Sequence, residues 1–295
     1  MNVRPTLTSR FALVAATIAI MPMALGGGAR AAMVTAVPLG TAGNYSVLAG
    51  QTITNTGSSI FARSVGLSPG SSITGFPPGV VNAPGVIDNT NGAAAQAQLD
   101  LTAAYLNAKG RAATEVTANL TGLTLQGGVY SGPVKSALLL TGTVTLDAAG
   151  NEDTVFVFIT DSTLTTTTGS SVSLINGAQQ CNVFWQVGSS AELGSGSSMS
   201  GSVMALTSIS VAAGATVYGR LLARNGSITL ISDTISAPTC ARAPGTSDTG
   251  PDNTGPGGGI PDTGTANSTV VWLAIGFLAI GVTATGIARR RLTSR

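Results

Sequence analysis

The chain is 295 residues long, with few charged (9%) or aromatic (4%) side chains, 39 glycines and no histidine. Lacking histidine, it has no Ser-His-Asp or Cys-His catalysis and almost none of the usual zinc chemistry. The formal charge of +2 comes from the ends. Seven of 14 Lys and Arg (Arg4, Arg10, Arg30, Arg289, Arg290, Arg291, Arg295) lie in the terminal segments and all 12 acidic residues lie between them, so the intervening chain carries −5, which disfavours a nucleic-acid partner.

Residues 1–32 read as a secretory signal: a basic start, an apolar run from Phe11 to Leu25, and the small-residue stretch Ala29-Arg30-Ala31 as a cleavage site. A retained N-terminal anchor is the alternative, weakened by Pro22 and three consecutive glycines. The body, 33–241, is rich in Gly, Ser, Thr, Ala and Val, with short β-branched runs between glycines, a pattern of many short strands. An early run, Thr52-Ile53-Thr54, alternates hydroxyl and aliphatic side chains.

Residues 91–109 interrupt this pattern with an Ala- and Leu-rich helix stopped by Gly110. Ala95, Leu99, Thr102 and Leu106 fall on one stripe, which is expected to lie against the strands. Asp147, Asn151, Glu152 and Asp153 form an acidic loop read as a solvated turn, with a weak calcium site as the alternative; it lacks the alternating ligands of an EF-hand, and no metal site is expected.

Internal repeats decide the fold. STLTTTTGSSV (162–172), SSAELGSGSSM (189–199) and TSISVAAGATV (207–217) align without gaps, and GSITLISDTI (226–235) aligns after losing one residue at its turn. A step near 18 residues is one coil of a three-sided β-solenoid, three strands of about five residues joined by corners. Gly169, Gly196 and Gly214 belong at one corner, where positive φ suits glycine, and Asp233 takes that place in the last coil. Alternation sends Leu164, Ala191, Ile209 and Ile228 inward, with Thr166, Leu193, Val211 and Leu230 two places on; Thr166 then needs a partner for its hydroxyl. Two outward ladders flank the first stack: Thr163, Ser190, Ser208 and Ser227, and Thr165, Glu192, Ser210 and Thr229. Thr52 and Thr54 extend the grid from the N-terminal coil.

Cys181 and Cys240 are the only cysteines. They form either a disulfide across the last coils or two free buried thiols; export favours the bridge. Residues 242–259 are a Pro/Gly/Thr linker. Next come Ile260, Pro261, Asp262, Thr263 and Gly264, then 19 uncharged residues, 270–288, and an arginine triplet. This ending resembles the cell-wall sorting signal of Gram-positive surface proteins, with Ile260 where Leu is usual. The resemblance implies sortase and peptidoglycan as processing partners. A membrane anchor through the C-terminal span is the alternative. Either way the expectation is an exported protein held at the surface of a Gram-positive cell.

An enzyme is not expected. A solenoid acting on acidic polysaccharide needs clustered carboxylates or basic residues, and the only lysines are Lys109 and Lys135. Nothing matches a phosphate-binding Gly-Lys-Ser/Thr loop, so no cofactor is expected.

The motifs LGTAGNYSVLA (39–49), VGLSPG (65–70), ITGF (73–76), LTLQGGVY (123–130), LINGA (174–178), CNVFWQVG (181–188) and GRLLARNG (219–226) resemble the microbial ice-binding domain family over positions 38–240. The resemblance implies a right-handed, irregular three-sided β-solenoid with one long helix alongside and a flat face that meets ice. The Ser/Thr ladders supply a candidate face, Thr52, Thr54, Thr163, Thr165, Ser190, Ser208, Ser210, Ser227 and Thr229, interrupted by Glu192, whose carboxylate holds its own water. The expected function is surface-anchored ice binding, with an adhesin or wall-structural module that binds a glycan or another cell as the alternative.

Overall fold

The computed structural model describes residues 34–238 and Cys240. The signal sequence, the linker, the Ile260–Gly264 motif and the apolar segment after it lie outside the described residues. Among the described residues no helix is long and apolar enough to cross a membrane.

The body is a three-sided β-solenoid whose paired strands run parallel throughout. One side is a seven-stranded sheet of short strands, Leu138–Leu140, Leu164–Thr166, Ala191–Leu193, Ile209–Val211, Ile228–Ile231, Thr52–Thr56 and Ser72–Thr74, in that spatial order. The other two sides are continuous with each other. Strands Ser198–Ala205 and Thr216–Ala223 run through the corner between them without stopping, where separate strands and a tight turn were expected. The bend falls at Gly201, φ 104°, packed so close to Val183 that a Cβ has no room.

Spatial order departs from chain order. The first coil docks on the last: Val47 pairs with Leu221, Ile53 with Ile228, and Ile60 with Thr234. The second coil, ending at Ile87–Asn89, forms one end of the stack. The helix, Gly92–Lys109, carries the chain back along one side, and winding resumes at the other end with Thr114–Glu115 and Gly128–Ser131.

The repeats place the core as alternation requires. Leu164, Ala191, Ile209, Ile228, Leu193, Val211 and Leu230 are all buried. Thr166 is buried too, and its Oγ1 accepts the Gly194 N–H at 2.9 Å, which answers the mismatch. Phe158 stacks on Trp185 inside the solenoid, centroids 4.1 Å apart and planes at 11°, and Trp185 Nε1 donates to Ser200 O at 2.9 Å. A second core lies outside this side, where Leu48, Val157, Phe184, Met204 and Leu222 meet the helix. Strands such as Phe156–Thr160 are buried on both faces and therefore read as continuous apolar runs.

The helix begins at Asn91, whose side chain accepts the Ala94 N–H at 2.9 Å. It buries Ala94, Ala97, Leu101, Ala104, Tyr105 and Ala108. The expected stripe is thereby corrected: Ala95 is exposed, Leu99 is 66% and Leu106 55% exposed, and Thr102 is only partly covered. With Ala and Leu on every side the apolar periodicity does not choose a face. Small alanines that allow close approach and the Tyr105 side chain do so, the latter donating to Val187 O at 3.2 Å beneath the Arg224 guanidinium, 4.8 Å from its ring centroid.

Corner glycines Gly169, Gly196 and Gly214 have φ of 69°, 60° and 73°. In the last coil that conformation falls on Ser232, φ 54°, and not on Asp233. Asp233 instead folds inward, 1% exposed, its two carboxyl oxygens accepting the Ala215 N–H at 2.9 Å and the Ile231 N–H at 2.7 Å, while its own N–H donates to Ser59 Oγ. The acidic loop is a self-contained turn. Asp147 Oδ1 accepts from the Ala149 N–H and from Asn176 Nδ2, both at 2.8 Å, and these bonds hold its carboxyl below the usual range.

Candidate functional site

The helix packs on Tyr45–Ala49, Ser64–Leu67, Ile87–Asn89, Phe156–Thr160 and Val183–Val187 of the larger sheet, which leaves the seven-stranded side, with its short parallel strands, open. Its central outward column is one continuous register: Leu139, Thr165, Glu192, Ser210, Thr229, Thr54 and Thr74 occupy successive rungs. Rungs of a parallel sheet are about 4.8 Å apart, and alternate residues along a strand are about 6.6 Å apart. Glu192, Ser210, Thr229, Thr54 and Thr74 are exposed and Thr165 is half-buried. None of the five hydroxyls in this column bonds to another described group.

The other expected ladder is different. Thr52 Oγ1 donates to Ser227 Oγ at 2.8 Å, Ser190 Oγ pairs with Thr207 Oγ1 at 3.0 Å, and Ser208 Oγ accepts the Ser227 N–H at 3.1 Å. These hydroxyls knit neighbouring coils together at the corner and have less to offer an outside partner. Thr163 stands at the same edge, half-buried. The expected grid is therefore brought onto one side, but its two columns are chemically unequal.

Sequence reasoning missed Thr74 and Thr56. Thr56 is exposed beside Ile231 on the third column, and Thr74 ends the central one. The signal was present in the alternation of Thr52-Ile53-Thr54-Asn55-Thr56 and Ser72-Ile73-Thr74, but those coils do not align with the later repeats without gaps. Beside the central column a shallow trough of about 370 Å³ runs past Glu192, Gly194, Ser210, Ala212 and Ile231.

Ser171, Ser198 and Thr216 stack on the adjoining side, in register with Thr143 and Thr234. Cys181 and Cys240 form a disulfide, Cα atoms 5.7 Å apart, that ties the chain's exit to the loop before Val183–Val187. Among the described residues no group of His, Cys, Asp and Glu is arranged to hold a metal ion.

A family model described as ice-binding-like matches residues 47–236. The chain belongs to this family. Among ice-binding-like proteins it is 46% identical over 201 residues to an ice-binding protein of Nostoc sp. (strain HG1), a match covering 67% of this chain and 73% of that one. It is 34% identical over 230 residues to ice-binding protein 1 of Shewanella frigidimarina (strain NCIMB 400), covering 67% of this chain and about a quarter (26%) of that relative. The crystal structure of an ice binding protein from an Antarctic biological consortium matches with a TM-score of 0.68 at 43% identity, covering 71% of this chain and 95% of that one. The ice-binding-like fold of parallel coils with one helix is thus the fold seen here.

Proposed function

We propose that the protein binds ice through the seven-stranded side, with Thr165, Ser210, Thr229, Thr54 and Thr74 as the principal contacts. The carrying observation is the register of that column, whose hydroxyls have no partner among the described residues and stand on a rigid parallel frame. Similarity to proteins named for ice binding supports the same ligand. A single hydroxyl gains little by exchanging water for ice, about 1 kcal/mol at most. Many aligned positions must therefore engage together, which demands flatness and a fixed spacing, and hydrogen-bonded rungs supply both. Thr52, Ser190, Ser208 and Ser227 serve this face by locking its rungs, with Thr163 at its margin.

In this reading the protein is exported and held at the cell surface through residues 260–295, by sortase and peptidoglycan or by the apolar span itself. The Cys181–Cys240 disulfide supports an oxidising destination. Ice is bound and not transformed, so no catalytic group is assigned.

The test is thermal hysteresis and ice-affinity partitioning of the 33–241 fragment. Activity that survives dilution supports the reading. Glu192, exposed in mid-column with its own hydration, favours the adhesin alternative, and no ice affinity at all decides for it.

A further inference from the structure

The corner opposite the candidate ice face holds an arrangement that ice binding does not use. Arg63 sits there between Ile60–Phe61 and Ser64–Leu67, and Arg220 follows Gly219, the register partner of Gly201, two rungs away with Asn44 and Ala237 on the rung between. Arg220 is only 9% exposed; its Nε donates to Gly43 O at 2.8 Å and its Nη1 to Ser202 Oγ at 3.2 Å. Burial and the nearby Arg63 charge pull the Arg220 guanidinium down to about 10. Among the described residues neither arginine has a carboxylate partner, and the buried Arg63 Nε has no acceptor. Ser46 Oγ accepts the Arg63 N–H at 2.8 Å, Ser202 Oγ accepts from Arg220, and Ser64 Oγ accepts the Val86 N–H at 3.1 Å, which leaves the Ser64 hydroxyl proton to donate. Arg63 also lines a cleft of about 450 Å³ shared with Asn44, Ser64, Pro84, Gly85 and Ala237.

A buried guanidinium nitrogen without an acceptor is costly, and the Arg220 charge nearby, bonded only to neutral oxygens, raises that cost. A guanidinium fork matches the oxygens of an oxyanion, which would neutralise both. We propose that this corner cleft binds a phosphate group, with Arg63 as the direct ligand, Arg220 as the supporting charge, and Asn44 and Ser64 as further polar contacts. The cleft is larger than phosphate alone needs, and its Pro84 and Ala237 walls suit the carbon skeleton of a phosphorylated sugar. Because the vertex lies opposite the seven-stranded side, a ligand held there leaves the ice face free. The inference does not rest on ice binding.

Calorimetric titration of the 33–241 domain at fixed ionic strength, with inorganic phosphate, glucose 1-phosphate and acetate, tests it. Saturable binding of either phosphate, at least tenfold tighter than acetate, is expected. Tighter glucose 1-phosphate identifies a phosphorylated glycan as the source, and equal affinities identify free phosphate. Arg63→Gln should weaken phosphate binding at least tenfold while leaving thermal hysteresis unchanged, and Arg63→Lys, which keeps a point charge on a similar stem, should retain part of it. The Lys variant decides if the Gln variant fails to fold. No saturable binding of either phosphate below about 10 mM, acetate bound as well as phosphate, or full phosphate affinity in the Arg63 variants overturns the proposal.

Discussion

Thr52 Oγ1 donates a hydrogen bond to Ser227 Oγ across 2.8 Å, although 175 residues separate the two. The bond marks the seam where the first coil docks on the last, directly beside the buried Ile53–Ile228 contact. Ile53→Ala should lower stability by about 2–5 kcal/mol through the cavity it leaves. Thr52→Val, which removes one partly exposed hydroxyl bond, should cost about 1 kcal/mol. Urea unfolding of the domain checks both. Losses of equal size would mean the seam does not depend on aliphatic packing.

On the candidate ice face, Thr229→Tyr and Thr54→Tyr should each remove most thermal hysteresis, because a ring standing on the central column lifts the flat array from ice. Thr216→Tyr, on the adjoining side, should leave it nearly intact. Glu192→Thr should raise activity by completing the column from Thr165 to Thr74. If Thr216→Tyr abolishes activity and Thr229→Tyr does not, the wrong side has been assigned.

Much of the fold is legible in the sequence. The 18-residue step, the inward stack at Leu164, Ala191, Ile209 and Ile228, and the corner glycines follow directly from strand alternation and positive φ. The helix face was not legible, because Leu99 and Leu106 are as apolar as Leu101 and only contact with the solenoid distinguishes them. The shift from Asp233 to Ser232 at the last corner was hidden by a one-residue deletion, which sequence can accommodate in more than one place. Nor could spacing tell that Ser190 and Ser208 turn along the stack to bond neighbouring coils while Ser210 and Thr229 stay free.

The helix assignment is open to a direct check. Leu101→Ala should destabilise by about 2–5 kcal/mol, whereas Leu106→Ala, at an exposed position, should stay within about 0.5 kcal/mol. A larger loss at Leu106 would mean that its side chain is covered in solution.

Burial pushes the Asp233 carboxyl up to about 6, and the bonds it accepts from Ile231, Ala215 and Gly214 pull the other way without cancelling the effect. An acid raised in the folded state binds its proton more tightly there than in the unfolded chain, where it titrates near about 3.9. Its contribution is therefore full below about pH 4 and is lost as pH rises through about 6, a change on the order of 3 kcal/mol. Asp233→Asn should flatten the stability profile between those values, whatever it does to the absolute level. A slope that persists in the variant assigns the pH dependence to another group.

Reducing the Cys181–Cys240 bridge, which closes 59 residues, should lower stability by about 4 kcal/mol in the chain-entropy model. Comparing the melting temperature of a double serine variant with that of the oxidised protein measures this. An unchanged melting temperature would show that the bridge adds nothing beyond its neighbours.

The docking of the first coil on the last has a consequence for how such a molecule changes length. An ordinary linear array gains or loses repeats at a free terminus, and each copy touches only its neighbours. Here the final coil is a keystone, wedged between Thr52–Thr56 on one side and Ile209–Val211 on the other. Removing it opens a gap in the middle of the stack. Duplicating it moves the first coil and the second one that caps it, together with the end of the helix that must reach back to Thr114. The number of rungs presented to a ligand is thereby tied to the length of one helix.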